Sequence, residues 1–150
     1  MPYADLAVGQ VAELAHTVTD SDIRGYADIT GDRNPAHTDE AWAARSRFKG
    51  RIAHGMLTAG FISAVLGMKL PGVGAIYLTQ TLRFLKPVRI GDRITARAEV
   101  LELFPSKRRV RIATRCTNQA GEIVLEGEAL LLVDDIPWPE ARRSASLPPA

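Results

Sequence analysis

Apolar residues in the first half of the chain recur at helical spacing. A helix is predicted to begin at Thr19 or Ser21, either of which can cap it, and to end at Gly31. A short helix is expected over about 39–45, and a longer one over 55–69, which Pro71 and Gly72 end. The longer segment carries one main apolar stripe, made of Leu57, Phe61, Ala64, Val65 and Met68, with Ile62 and Leu66 outside it. A helix that is apolar nearly all round is typically buried, so this segment is predicted to be the core helix.

The second half of the chain alternates between apolar and polar residues with a period of two. This pattern predicts half-buried strands within 76–84, 94–100 and 110–116, and a last strand over 123–133. Turn residues at 105–107 and 118–121 fit hairpins, and residues 10–17 are a candidate further strand. An antiparallel sheet then has to cover one long apolar helix, which predicts an α+β fold with the sheet curved around the helix.

Length and composition are those of an ordinary globular domain. The chain has 150 residues, 46% of them apolar, and its 19 basic and 17 acidic residues are scattered. Nucleic-acid binders more often carry a clustered basic face, so no nucleic-acid partner is expected. The single cysteine excludes an internal disulfide and a cysteine zinc cluster. The longest uncharged stretch, 55–68, is too short to span a membrane, and no targeting segment is evident. A cytoplasmic protein is expected.

The end of the chain differs in composition from the rest. Four prolines follow Val133 without any apolar period. We therefore predict one domain over residues 1–135 and a proline-rich tail over residues 136–150, disordered from about residue 141. Trp138 could dock this tail on the surface.

The segment GDRNPAHTD is the densest polar cluster in the sequence. Asp32, Asn34 and His37 lie in a predicted loop between two helices, which the Asn-Pro pair stiffens. A carboxylate and an imidazole five positions apart can both reach one small molecule such as water, and histidine moves protons near neutral pH. The alternative is that these residues only shape the turn.

The segment AHGM opens the predicted core helix. Gly55 would let a ligand approach the backbone closely, and the free N–H groups at a helix start suit a developing oxyanion. A plain helix entry is the alternative. His54 could simply fix that entry.

Two stretches together carry a family resemblance. YADITGDRNPAHTDEAWAARSRFKGRIAHGMLTAG resembles the hydratase 2 motif of the MaoC-like (R)-specific enoyl-CoA hydratases. The later GVGAIYLTQTLRFLKPVRIGDRITA is similar to the following part of the same family. The similarity runs from about residue 8 to residue 133. It implies the hot-dog fold, a long central helix wrapped by a curved antiparallel sheet, in a homodimer.

The resemblance also assigns roles to individual residues. Asp32 and His37 match the catalytic pair that holds the added water, and Asn34 matches the asparagine of that loop. Gly55 matches the residue whose N–H binds the thioester carbonyl oxygen. Ser63 matches a serine of the central helix that supports the polar network.

The resemblance places the determinants of acyl-chain length near Leu66 and Leu130, and Val65 lies beside them on the helix. If these bulky residues close the acyl pocket, short acyl groups of about four to six carbons are expected, because each covered methylene is worth about 0.8 kcal/mol. The alternative is that they are ordinary core residues.

The resulting prediction is an (R)-specific enoyl-CoA hydratase. Coenzyme A is part of the substrate, and neither a metal nor a redox cofactor is expected. A 3-hydroxyacyl-acyl-carrier-protein dehydratase, a hot-dog thioesterase and a non-catalytic acyl-CoA-binding subunit are the alternatives. The intact Asp32/His37 pair argues against the last of these.

Overall fold

One antiparallel sheet forms the outer layer of the protein. The computed structural model describes residues 1–136. Over that range the sheet has six strands in the order β1-β4-β5-β6-β2, with β3 also paired to β6. The strands are β1 (Val11–Thr17), β2 (Ala75–Gln80), β3 (Arg83–Phe84), β4 (Arg93–Phe104), β5 (Arg109–Thr117) and β6 (Ile123–Val133). The predicted tail, apart from Ile136, lies outside the described residues, and so does Trp138.

Four helices accompany the sheet in the described range: α1 (Asp20–Thr30), α2 (Pro35–Thr38), α3 (Glu40–Arg45) and α4 (Gly55–Met68). Short 3₁₀ turns lie at Tyr3–Asp5 and Pro105–Lys107. The expected loop over 32–38 is wrong in one respect, because it contains α2. Asn34 caps that single turn by accepting from the Ala36 N–H at 3.0 Å, and Pro35 occupies the first helical position, where its missing N–H costs nothing.

Helix α1 has the predicted ends. Thr19 accepts from the Asp22 N–H at 3.1 Å, and the Asp22 carboxylate accepts from the Thr19 N–H at 2.9 Å, which is a reciprocal capping box. Gly31 ends the helix with φ of 80°, a conformation that glycine adopts without strain. The backbone conformation of Gly31 therefore sets the direction in which the chain continues into Asp32.

Helix α4 is the core helix, and it lies against β4, β1 and β5. The predicted stripe is wrong in phase, because Ile62 and Leu66 are almost fully buried whereas Met68 is 65% exposed. The buried face consists of Thr58, Ala59, Ile62, Val65 and Leu66. Since the helix is apolar nearly all round, its own sequence does not say which side the sheet will cover. The predicted helix wrapped by a curved antiparallel sheet is confirmed.

The predicted strand over 76–84 is divided into β2 and β3. Thr81 lies at the break. Its backbone oxygen is so close to Gly127 of β6 that a Cβ at position 127 would not fit. Before the break, β2 forms an edge of the sheet, and Ile76, Tyr77 and Leu78 all remain more than 40% exposed. In the described part of the chain no helix is long and apolar enough to cross a membrane.

Candidate functional site

Asp32 and His37 lie at the start of the α1–α2 connection and within α2. The Asp32 Oδ1 accepts from the Asn34 N–H at 3.2 Å, and no described residue donates to Oδ2. The Nδ1 of His37 is 2.8 Å from the Ile52 carbonyl oxygen. A carbonyl only accepts, so Nδ1 carries the proton, and Nε2 of the neutral ring is left as an acceptor. The pair thus offers a carboxylate oxygen and an imidazole nitrogen, both able to accept from one water.

Arg51 anchors the backbone of His37. Its Nε donates to the His37 carbonyl oxygen at 2.6 Å, and its guanidinium donates to the Asp20 carboxylate at 2.7 Å. Only 9% of the Arg51 side chain is exposed. Sequence reasoning missed this residue, because Asp20 is 31 positions away and nothing local connects the two.

His54 is buried and contacts both Asp32 and His37. It is 2% exposed, and its Nε2 lies 2.9 Å from the Asp32 carbonyl oxygen. Its ring packs on that of His37 with centroids 3.9 Å apart and on Tyr26 at 4.6 Å. Burial lowers the pKa of His54, an effect that outweighs its hydrogen bond to the Asp32 carbonyl. The imidazole is therefore neutral at neutral pH.

Gly55 is the first residue of α4, and its N–H donates to no described group. A Cβ at this position would lie 2.7 Å from the Cε1 of Phe84, too close for any side chain to fit without movement. The helix start thus presents a bare N–H at the positive end of the helix dipole. That arrangement suits a carbonyl oxygen on which negative charge develops.

Two connected spaces adjoin these groups, and both include His37, Gly55 and Phe84. The smaller of them, the mouth, is lined by Tyr26, Asp32, His37, His54, Gly55, Met56 and Phe84. Next to it is a largely apolar cavity of about 360 Å³, lined further by Phe48, Ile52, Ala53, Thr58, Leu85, Lys86, Pro87, Val88, Val124 and Leu125. Such a cavity can cover an apolar chain whose reacting end lies at the mouth.

The other predicted site residues lie elsewhere. Asn34 caps α2 and thereby shapes the loop. Ser63 is on the exposed side of α4, in a groove against β2. Val65 and Leu66 are buried in the core, and Leu130 is on the opposite sheet face from its buried neighbours in β6. None of the five lines the cavity beside His37, so their expected roles in the polar network and the acyl pocket stay predictions.

Three potential metal ligands also meet at the mouth, since ligand atoms of Asp32, His37 and His54 lie within 4.8 Å of one another. Each imidazole already uses one nitrogen on a backbone carbonyl. The two rings are stacked with an interplanar angle of 31°, and the remaining nitrogen of His54, Nδ1, is buried. Asp32 and His37 are then the members of this cluster whose acceptor atoms are available to a water at the mouth.

Comparison with known proteins gives a consistent result. Residues 6–122 match the model of the MaoC like domain. Over 131 residues the chain is 53% identical to the 3-hydroxybutyryl-CoA dehydratase of Methylorubrum extorquens, covering 87% of this chain and 83% of that protein. It is equally identical to the (R)-specific enoyl-CoA hydratase of Rhodospirillum rubrum, covering 87% and 90%. The unliganded R-hydratase PhaJ1 from Pseudomonas aeruginosa superimposes with a TM-score of 0.88 at 48% identity, covering 99% and 94%.

Proposed function

The chain belongs to the MaoC-like family with the hot-dog fold, and from that membership we propose that it is an (R)-specific enoyl-CoA hydratase. This hydro-lyase adds water reversibly to trans-2-enoyl-CoA and gives (R)-3-hydroxyacyl-CoA. The observation that carries the proposal is the meeting of Asp32, His37 and the Gly55 N–H at the mouth of an apolar cavity. A hydratase needs these parts together: a proton acceptor, an oxyanion donor and a cover for the acyl chain.

The tautomer of His37, with its proton on Nδ1, supports a definite order of reaction steps. A water between Asp32 Oδ2 and His37 Nε2 gives a proton to Nε2 while its oxygen bonds to the β-carbon. Asp32 accepts a hydrogen bond from the second hydrogen of that water, which stays on the oxygen, and so orients the water. The electron pair of the double bond moves toward the thioester carbonyl oxygen. The proton then returns from Nε2 to the α-carbon, which restores the thioester and leaves a net gain of one water.

Gly55 stabilises the charge that this step creates. The carbonyl oxygen of the thioester carries negative charge only while the enolate exists, and Gly55, the first residue of α4, lines the mouth where it forms. An oxyanion donor of this kind is commonly worth about 10²–10³-fold in kcat. The proposal needs no metal or redox cofactor. It includes a cytoplasmic location, where the single thiol, Cys116, stays reduced.

The experiment is hydration of crotonyl-CoA, followed by loss of the enoyl absorbance, with a crotonyl-acyl-carrier-protein arm run beside it. Asp32→Asn and His37→Ala should each lower kcat by about 10²–10⁴-fold. Asp28→Asn and His16→Ala are matched controls, because both residues are exposed and lie outside the mouth. Absence of wild-type activity on the CoA substrate would contradict the proposal, and preference for the carrier-protein substrate would favour the dehydratase alternative.

Chain length is tested with four-, eight- and twelve-carbon enoyl-CoAs. The lining of the cavity points to Phe48 as a contact of the acyl tail, whereas the family resemblance points to Leu66 and Leu130. Phe48→Ala, Leu66→Ala and Leu130→Ala should therefore be compared with wild type, which we expect to prefer short chains. A variant that shifts kcat/KM toward longer chains identifies a residue that limits the pocket.

We further propose that the protein is a homodimer formed through α4 and β2. The outer side of α4 and the exposed edge β2 form an apolar groove that includes Met56, Gly60, Ser63, Tyr77 and Leu78. An unpaired edge strand with apolar side chains is normally covered. Light scattering should give twice the 16.3 kDa chain mass, and Leu78→Glu should shift the mass toward the monomer. An active wild-type monomer at micromolar concentration would contradict this part.

A further inference from the structure

His54 contacts each of the three groups that the proposed reaction uses. Its Nε2 is hydrogen-bonded to the backbone carbonyl of Asp32 at 2.9 Å, and its ring is stacked on His37 at 3.9 Å. It directly precedes Gly55 and is the N-cap residue of α4. A change in its position would therefore move the carboxylate, the imidazole and the oxyanion donor relative to one another.

The hydrogen bonds of His54 determine its protonation state. Its partner at Nε2 is a carbonyl, so Nε2 carries the proton. The other ring nitrogen, Nδ1, is buried and has no partner among the described residues. The hydroxyl of Thr58, one helical turn further along α4, is likewise buried without a partner. A proton on Nδ1 would place an unpaired charge in this space, next to the His37 ring.

We propose that His54 is a positioning residue, whose neutral imidazole donates from Nε2 to the Asp32 carbonyl and packs on His37, and so fixes both groups relative to the Gly55 N–H. The inference rests on the proposed hydratase function. The charged and titratable groups that face this ring are Asp32 from the connection after α1, His37 from α2 and Tyr26 from α1. None of them bonds to Nδ1, so the ring has no route by which to relay a proton through both nitrogens.

Two substitutions test the hydrogen-bond donor and the stacked ring of His54 separately. His54→Gln keeps a side-chain N–H that can donate to the Asp32 carbonyl, and His54→Phe keeps the stacked ring but cannot donate. Loss of one buried hydrogen bond predicts a fall in kcat of about 100-fold for His54→Phe and about 10-fold for His54→Gln, with little change in KM. The acidic and basic limbs of the pH–rate profile should keep their positions in both variants, because the proton transfer belongs to Asp32 and His37.

Val133→Ala is the control for lost stability. Val133 is fully buried at the end of β6 and lines neither the mouth nor the cavity. The kcat values of the two His54 variants are compared with that of Val133→Ala at an equal loss of melting temperature. If neither His54 variant loses more kcat than Val133→Ala does, the residue is merely structural and the proposal is overturned. It is also overturned if His54→Gln loses more than about 10³-fold together with a limb of the pH profile, since that identifies a proton-transfer group. A rise in KM at constant kcat overturns it too.

A measurement without turnover keeps this test apart from that of the hydratase function. In ¹⁵N-histidine NMR of the wild-type protein, His54 should be the neutral Nε2–H form at pH 7 and above, because Nε2 donates to the Asp32 carbonyl and Nδ1 is buried without a partner among the described residues. In His54→Phe, the amides of residues 32–34 should exchange faster with solvent than in wild type. A charged or Nδ1–H ring, or unchanged exchange, overturns the positioning role. Absent hydration of crotonyl-CoA by wild type counts against the proposed function alone.

Discussion

Replacement of Gly55 by alanine tests the oxyanion site by a steric route. The added Cβ would lie 2.7 Å from Cε1 and 2.9 Å from Cδ1 of Phe84. Carbon atoms in contact are normally about 3.5–4.0 Å apart, so one of the two groups must move by roughly 1 Å. Either the Phe84 ring is displaced across the mouth, or the first turn of α4 shifts and its N–H no longer points at the thioester oxygen.

The expected loss follows from this geometry. Removal of an oxyanion donor costs about 10²–10³-fold in kcat. The Phe84 side chain is 54% exposed and can yield in part, which favours the lower end. We therefore expect kcat of Gly55→Ala to fall about 100-fold, or about 2.7 kcal/mol. KM should change less than kcat, because Gly55 and Phe84 are only two of the residues that line the apolar cavity and the new Cβ meets only Phe84.

The assay is crotonyl-CoA hydration with two comparisons. Gly67→Ala makes the same change on the same helix, with nothing within 4 Å of the new Cβ, and should keep wild-type activity with a gain in stability of about 0.5–1 kcal/mol. In a Phe84→Ala background the clash is removed, so Gly55→Ala should cost less than about fivefold there. An equal penalty in both backgrounds, or a mild loss in the wild-type background, would refute the steric reasoning.

Three further outcomes are expected. Gly127→Ala should strongly lower the urea-unfolding free energy, because its Cβ would collide with the backbone oxygen of Thr81, which cannot swing aside. Burial of Asp22 opposes its ionisation, but hydrogen bonds from His16 and the helix-capping residue outweigh this and lower the pKa of the carboxyl. Its stabilising effect is complete above the unfolded-state pKa of about 4 and is lost as the pH falls below it, so Asp22→Asn should flatten the acid side of a stability–pH curve. Burial raises the pKa of the Cys116 thiol to about 12, so Ellman's reagent should label it at pH 8 only after unfolding.

Features that are encoded locally were predictable from the sequence. The ends of α1 follow from a capping residue and a glycine that lie next to the helix itself, Thr19 and Gly31. The stiff turn at Asn34 and Pro35 is likewise a matter of neighbouring residues. Asp32 and His37 come from that same short stretch, so their closeness was predictable, whereas their orientation depends on the later residues Arg51, Ile52 and His54.

Features that depend on distant parts of the chain were not predictable. The contact of Arg51 with Asp20, and that of His54 with the Asp32 carbonyl, join residues more than 20 positions apart. The buried side of α4 depends on where the sheet lies, because the helix is apolar on all sides. Leu130 belongs to a continuous apolar run in β6, in which alternation cannot distinguish the inner face from the outer one.

The two spaces at the site draw on different parts of the chain. The polar groups at the mouth, Asp32, His37 and Gly55, come from one stretch of 24 residues, 32–55. Much of the apolar lining is supplied later, by residues 84–88 and 124–125. The first stretch also contributes Phe48, Ile52 and Ala53 to that lining, so the acyl pocket is divided between the early and the late parts of the chain. A chimera that receives only the two later stretches from another hydratase would therefore change part of the acyl pocket while retaining its own proton-transfer groups.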